Sequence, residues 1–353
     1  MTLQLYVLRQ LLLAVSFSAL GIMLIVLPSI AVQAIHKLKG ASLSMIVEYL
    51  PMVAVMLVPY LLPMAFLLGV VATFGRLAAE RELVAIRMAG IHPARLSLPV
   101  ILVALLLSGG TDLLLAEVCP NWKFAQRTFL RQSQEKILRD FQRGGRSEID
   151  TEGFYLKADR VDGSSYYGVT LEFDLEEERH VVDAEEATLE VHEDLLVARL
   201  QGAQVLTENA KFESESPTFS IALDDLFPES RLDRTPAKYH PSSTLRRELA
   251  ETDPTPERAH ELRYQIHSRH ALSMTYLLFL LLGIPTGIRL RSSTQLGAFT
   301  GAIGYAFAYY ILAMRLGKEL ALGGSIPALV AAWSADAIFL VVGIYIFIRT
   351  LWR

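Results

Sequence analysis

The sequence predicts an α-helical polytopic membrane protein with six transmembrane helices and an all-β, jelly-roll-like domain inserted between the third and the fourth. Three observations predict it. The 353 residues are 52% hydrophobic with a mean hydropathy of +0.35, too apolar for a water-soluble domain of that length. The apolar residues gather into six runs, each near the roughly 20 residues that a membrane-crossing helix requires. Charge is divided: residues 120–268 carry 19 Lys+Arg against 30 Asp+Glu, a balance of −11, and the remainder carries 14 against 7, a balance of +7.

Residues 10–35 and 49–75 contain no acid, Lys or Arg and form the first two expected spans. The first is too long for a cleaved signal peptide and has no small-residue cleavage site. Residues 96–118 stay apolar until Asp112 and Glu117, which mark the end of the third span. After the acidic insertion, residues 271–288 are apolar, 292–314 are uncharged and 325–348 carry only Asp336. An even number of spans puts both termini on one side. With that side cytoplasmic, the inner segments hold Arg9, Arg76, Arg81, Arg87, Arg95, Arg289, Arg291, Arg349 and Arg353. The short outer loops then hold only Lys37, Lys39, Arg315 and Lys318. The excess of inner arginine favours this orientation and places the acidic insertion outside the cytoplasm. The division is residues 1–118 for the first three spans, 119–267 for the insertion and 268–353 for the last three.

Within the insertion the hydrophobic period becomes two from about Gly153. In "YGVTLEFDL" it places Tyr167, Val169, Leu171, Phe173 and Leu175 on one face, and in "PTFSIAL" it places Phe219, Ile221 and Leu223 likewise. "ATLEVHEDLLVARLQGAQVL" supplies two more strands that split near "HED". Short alternating strands between turn signals predict an antiparallel sandwich, barrel or jelly roll. Its apolar faces fit either a closed core or an open slot for acyl chains. "NWKFAQRTFLRQSQEKILRDF" and "TPERAHELRYQIHSRHAL" flank it as helices, the second announced by Pro254 and Pro256. The single cysteine, Cys119, excludes an internal disulfide.

Between the second and third spans runs "RLAAERELVAIRMAGIHPARLSLPV". Leu77, Leu83, Val84, Ile86 and Ala89 recur at helical spacing, Glu80, Arg81, Glu82 and Arg87 carry charge, and Gly90 with Pro93 is a helix stop. The pattern predicts an amphipathic helix over about 76–91. It either lies on the inner leaflet with its arginines at phosphate level or docks in a groove of a cytoplasmic partner.

Three stretches resemble the lipopolysaccharide export permease family LptF/LptG (YjgP/YjgQ), with a slight lean toward LptF. "ERELVAIRMAGIHPARLSLPV" matches at Glu82, Leu83 and Gly90. "ELRYQIHSRHALSMTYLLFLLLGIPTGIRLR" matches at Glu261, Leu262, Gly283, Pro285, Gly287 and Arg289. "IPALVAAWSADAIFLVVG" is similar to the last span but departs after Trp333, where Ser334, Ala335 and Asp336 replace the family's Leu-Pro-Asn. The resemblance covers nearly the whole chain. It implies a multi-pass permease subunit of an ABC transporter in a bacterial inner membrane, with cytoplasmic termini and a periplasmic β domain. It implies four partners: a cytoplasmic LptB-like ATPase dimer, a second homologous permease subunit, LptC-like or LptA-like periplasmic jelly rolls, and lipopolysaccharide itself. The stretch about 76–91 becomes the coupling helix, with Glu82, Leu83, Arg87 and Gly90 as ATPase-coupling residues. Lys37, Lys39 and Arg315 become candidates for substrate phosphates, beside the reading of Lys37 and Lys39 as snorkelling lysines and of Arg315 as the end of span five.

An acid well inside a span is functional by default, whereas the match of Asp336 to an Asn implies a helix–helix hydrogen bond. His267 and His270 stand three apart without a third ligand in sequence, so no metal site is expected. No catalytic residue is expected either: H-E-x-x-H and G-x-S-x-G do not occur. Nor does a G-x-x-x-x-G-K-[ST] phosphate loop, so no cofactor is expected here, and ATP and Mg belong to the partner ATPase. Dispersed basic residues give no nucleic-acid footprint. The alternative from a different class is a non-transporting membrane scaffold whose β domain recruits envelope proteins.

Overall fold

The computed structural model describes residues 2–38, 42–142, 147–151, 154–162, 165–175, 178–192, 195–207, 210–214, 218–222, 236–289, 295–316 and 326–351. Long helices open the chain: α1 over Thr2–Lys37 and α2 over Leu43–Ala79. A short α3 over Glu82–Met88 and a 3-10 turn over Pro93–Leu96 lead into α4, Ser97–Leu113. A π turn over Leu114–Val118 joins α4 to α5, Cys119–Gln142. After the strands come α6 over Ser242–Glu251, α7 over Pro256–Arg289, α8 over Gln295–Ile311 and α9 over Ala328–Leu351. Among the described residues five helical stretches are long and apolar enough to cross a membrane. The expected fifth span is helical over Gln295–Ile311 and runs on as a π turn, Leu312–Leu316.

The chain divides into two compact units. The first comprises Met1–Leu27, Val55–Asn121 and Thr235–Arg353. Its core joins Val7, Leu11 and Val15 of α1 to Phe66, Val70 and Phe74 of α2, with Val100 and Ala104 of α4, Tyr276 and Phe279 of α7, Tyr309 of α8 and Ala335 of α9. Glycines let the backbones meet. A Cβ on Gly287 would lie 2.7 Å from the Val71 carbonyl oxygen and 2.9 Å from the Gly75 nitrogen, so α7 and α2 touch backbone to backbone. Gly69 of α2 meets Val15 of α1 in the same way.

The second unit comprises Pro28–Ala54 and Trp122–Arg234 and holds eight antiparallel strands among the described residues. They are β1 Glu148–Thr151, β2 Phe154–Asp162, β3 Ser165–Leu175, β4 Glu178–His192, β5 Leu195–Gln201, β6 Ala203–Thr207, β7 Ala210–Ser214 and β8 Thr218–Ala222. The order is β1-β2-β3-β4-β5-β8, with β6 also on β4 and β7 on β6. The predicted split at "HED" falls between β4 and β5. β5 and β6 lie along β4 in one register, interrupted only at Gly202.

On the expected apolar face of β3, Val169 and Leu171 are buried and Tyr167 is half-buried, while the side chains of Phe173 and Leu175 lie outside the described residues. Register sets Asp159, Gly168, Glu185 and Gly202 side by side across the sheet. On one side of that row the buried positions are Ala158, Val169, Ala184 and Ala203; on the other they are Tyr166, Ala187 and Leu200, which point to the opposite face. The covered face therefore changes at the row, where Gly168 (φ +63°) and Gly202 (φ +62°) take a left-handed backbone that side chains resist. Tyr167 is left on the polar face with the Arg160 guanidinium 4.8 Å above its ring, while burial pushes the Tyr166 phenol up to about 12. In the helical part of this unit Gln126 Nε2 donates to Tyr49 Oη at 2.6 Å, and Tyr49 stacks on Phe129.

Candidate functional site

The segment between α2 and α4 differs from the helix expected over 76–91. Residues 76–79 finish α2, and the chain then turns at Arg81, which adopts φ 60° and ψ 12°. A left-handed arginine is disfavoured by about 1 kcal/mol, so the turn is held by what surrounds it. Leu83 is buried and Ile86 half-buried against the core of the first unit. Those two side chains fasten α3 to the bundle, and burying Leu83 contributes about 2 kcal/mol. Arg87 and Gly90 are exposed, as are two apolar side chains: Val84 at 47% and Met88 at 85%. Gly90, at φ +76°, ends the helix as its sequence suggested. The outward anchors are thus Val84 and Met88, and Leu83 faces inward.

Glu82 opens α3, where its charge faces the positive end of the helix. Its carboxylate accepts from Tyr6 Oη at 2.9 Å to Oε1 and 3.1 Å to Oε2. Arg76 Nη2 donates to the same Tyr6 oxygen at 3.4 Å. The pairing joins residues 76 positions apart, and no local periodicity in the sequence points to it.

A polar layer missed by the sequence reading lies where α4, α6 and α7 meet. His270 Nδ1 is 2.6 Å from Asp112 Oδ1, and its Nε2 is 2.9 Å from Arg246 Nη2. A guanidinium only donates, so Nε2 accepts and the ring proton sits on Nδ1, directed at Asp112. Ser273 donates to the same Asp112 oxygen at 3.1 Å. Glu117 accepts from the Ser243 backbone N–H at 3.1 Å and its hydroxyl at 2.9 Å, capping the start of α6. Arg269, 5% exposed, donates to the carbonyls of Ala116 (3.2 Å), Ala237 (3.4 Å) and His240 (2.9 Å) and to Ser242 Oγ (2.9 Å). Asp112 and Glu117 thus hold α6 and α7 in place.

Asp336 is 6% exposed on α9. Tyr309 of α8 donates to its Oδ1 at 3.2 Å and accepts from Thr275 of α7 at 2.9 Å, while Oδ2 has no partner among the described residues. The acid therefore links three helices. Lys37 ends α1 half-buried, Arg315 is exposed in the π turn after α8, and Lys39 lies outside the described residues.

A family model described as lipopolysaccharide export system permease LptF/LptG matches residues 5–349. No curated protein matches the chain.

Proposed function

This chain belongs to the lipopolysaccharide export permease family LptF/LptG, and from that premise we propose how it works as one half of an ATP-driven lipid extractor. As a member it is a multi-pass inner-membrane transport subunit, not an enzyme. In the proposed working arrangement both termini and α3 face the cytoplasm and the β unit faces the periplasm. The parts are residues 1–118 with the first three spans, 119–267 with the β domain and 268–353 with the rest. Two copies of a cytoplasmic ATPase supply the work from ATP and Mg, a second permease subunit completes the cavity, and lipopolysaccharide passes to periplasmic jelly rolls. Lys37, Lys39 and Arg315 are the proposed contacts for its phosphates.

α3 is the coupling segment in this reading. Val84 and Met88 enter a groove of the ATPase, Glu82 and Arg87 offer the directional charges, and Gly90 lets the chain turn back. The observation that carries the reading is the family match across residues 5–349, together with a short helix whose exposed side is apolar at Val84 and Met88. Exposed apolar side chains on a charged segment fit a protein surface that must first face water.

The test is affinity purification of the tagged chain in mild detergent, comparing wild type with Glu82→Ala. An ABC ATPase and a second six-span protein should accompany wild type, and the substitution should lower recovery of the ATPase about tenfold, the scale of one hydrogen bond to a charged group. Retention of other partners without any ATPase would sink the reading in favour of a scaffold.

A further inference from the structure

We infer that Tyr6 is a positioning residue that ties the coupling acid Glu82 to the first turns of α1, so that displacement of α3 is delivered to α1 directly. The inference rests on the proposed meeting of Glu82 with the ATPase.

The geometry supplies three reasons. Tyr6 reaches both oxygens of Glu82, at 2.9 and 3.1 Å, which fixes the plane of the carboxylate as well as its position. Arg76 donates to the Tyr6 oxygen at 3.4 Å, so the phenol hydrogen is directed away from the guanidinium and at the acid. Hydrogen bonds in such a chain polarise one another and strengthen. A carboxylate has about four lone-pair directions, so Glu82 keeps capacity for a cation from a partner while Tyr6 holds it. Tyr6 therefore does not compete with the ATPase for the acid.

The second reason is where the bond ends. α3 is separated from α2 by the left-handed Arg81, so a force on Glu82 need not travel up α2. It has a shorter route through Tyr6 into α1, immediately beside Val7, the first of the buried positions Val7, Leu11 and Val15 along that helix.

The third is how weakly α1 is otherwise held. Its most apolar stretch is 11% buried, against 44% in α2 and 72% in α7. A polar tie at one end is a large fraction of the attachment of such a helix to the rest of its own chain, whereas it would be negligible on α7.

The experiment uses the purified complex with its ATPase and second permease subunit, reconstituted with lipopolysaccharide, and reads lipid release per ATP hydrolysed. Tyr6→Phe removes only the hydroxyl. ATPase retention and hydrolysis should stay near wild type while lipid release per ATP falls about tenfold, the scale of one hydrogen bond to a carboxylate. In a Glu82→Ala background, which leaves the phenol no side-chain acceptor at that position, the same substitution should add no further loss in lipid release per ATP, because both act through one contact. Additive losses, or an unchanged ratio for Tyr6→Phe, overturn the inference. A second measurement avoids dependence on folding of the phenylalanine variant: Tyr6→Cys with Glu82→Cys, in a Cys119→Ser background, treated in membranes with a short bis-maleimide. Cross-linking is expected, and its absence overturns the inference. If wild type retains no ATPase, this inference and its parent reading fall together. If the ATPase is retained and the ratio does not move, only this one falls.

Discussion

The carbonyl of Ala116 stands one helical turn before Pro120, which has no N–H to offer it. The Arg269 guanidinium takes that place at 3.2 Å and uses its other hydrogens on Ala237, His240 and Ser242. A buried cation is stable here because its surroundings are carbonyl oxygens left over from irregular backbone. Arg269→Met should lower stability by about 3 kcal/mol through the acceptors it strands, read as thermal unfolding in detergent. Pro120→Ala in the same chain should return part of the loss, because replacing the proline restores a backbone N–H near the Ala116 carbonyl. The sequence displayed both residues, and "HSRHAL" even displayed Arg269 at the edge of an apolar run. Their pairing was not legible, since it depends on α4 and α7 lying side by side. Glu82 was singled out by the resemblance to the permease family, since the amphipathic stretch that holds it starts at Arg76 and carries Glu80, Arg81 and Arg87 as well; Tyr6 was not singled out, because nothing local marks its partner.

Helices and strands are set by period, and period was readable through most of this chain. The apolar runs became α1, α2, α4, α7, α8 and α9, and alternation found β3, β4, β5 and β8. It failed where backbone conformation overrides pattern. Arg81 ends α2 early and makes α3 a separate element, although the residues on both sides of it keep helical spacing. Gly168 and Gly202 mark where the covered face of the sheet changes, so Tyr166 is buried where Tyr167 was expected. The contact of α7 with α2 gives an element-scale prediction. Gly287→Ala would press a methyl to 2.7 Å from the Val71 carbonyl oxygen, and the forced shift should destabilise by about 1–3 kcal/mol. Gly304→Ala on α8, where nothing among the described residues lies within 4 Å, should be neutral or stabilise by up to about 1 kcal/mol through helix propensity. Thermal melts of the two variants side by side distinguish local crowding from a general intolerance of substitution.

At the scale of the whole molecule the division of charge anticipated the insertion: the acidic stretch 120–268 contains every strand among the described residues. The proposed orientation makes a direct prediction from two exposed side chains. Lys157→Cys, on β2, should react with a membrane-impermeant maleimide in cells whose outer membrane has been opened. Arg87→Cys, on α3, should react only after the inner membrane is breached. The native Cys119 is 4% exposed and should contribute little background. Reversed labelling would require the opposite orientation.

The sparse burial of α1 also sets an energy scale. Phe17, Leu20, Leu24 and Ile25 project outward from it, and hydrocarbon tails are as apolar as they are. Moving such a helix sideways exchanges protein contacts for lipid contacts, with no hydrophobic free energy gained or lost. What resists the movement is close packing, above all Val15 against Gly69, and whatever polar ties survive. These are quantities on the order of 1 kcal/mol each. On the proposed function, a lipid with several acyl chains displaces α1 at that scale while the backbone contact between α2 and α7 stays closed.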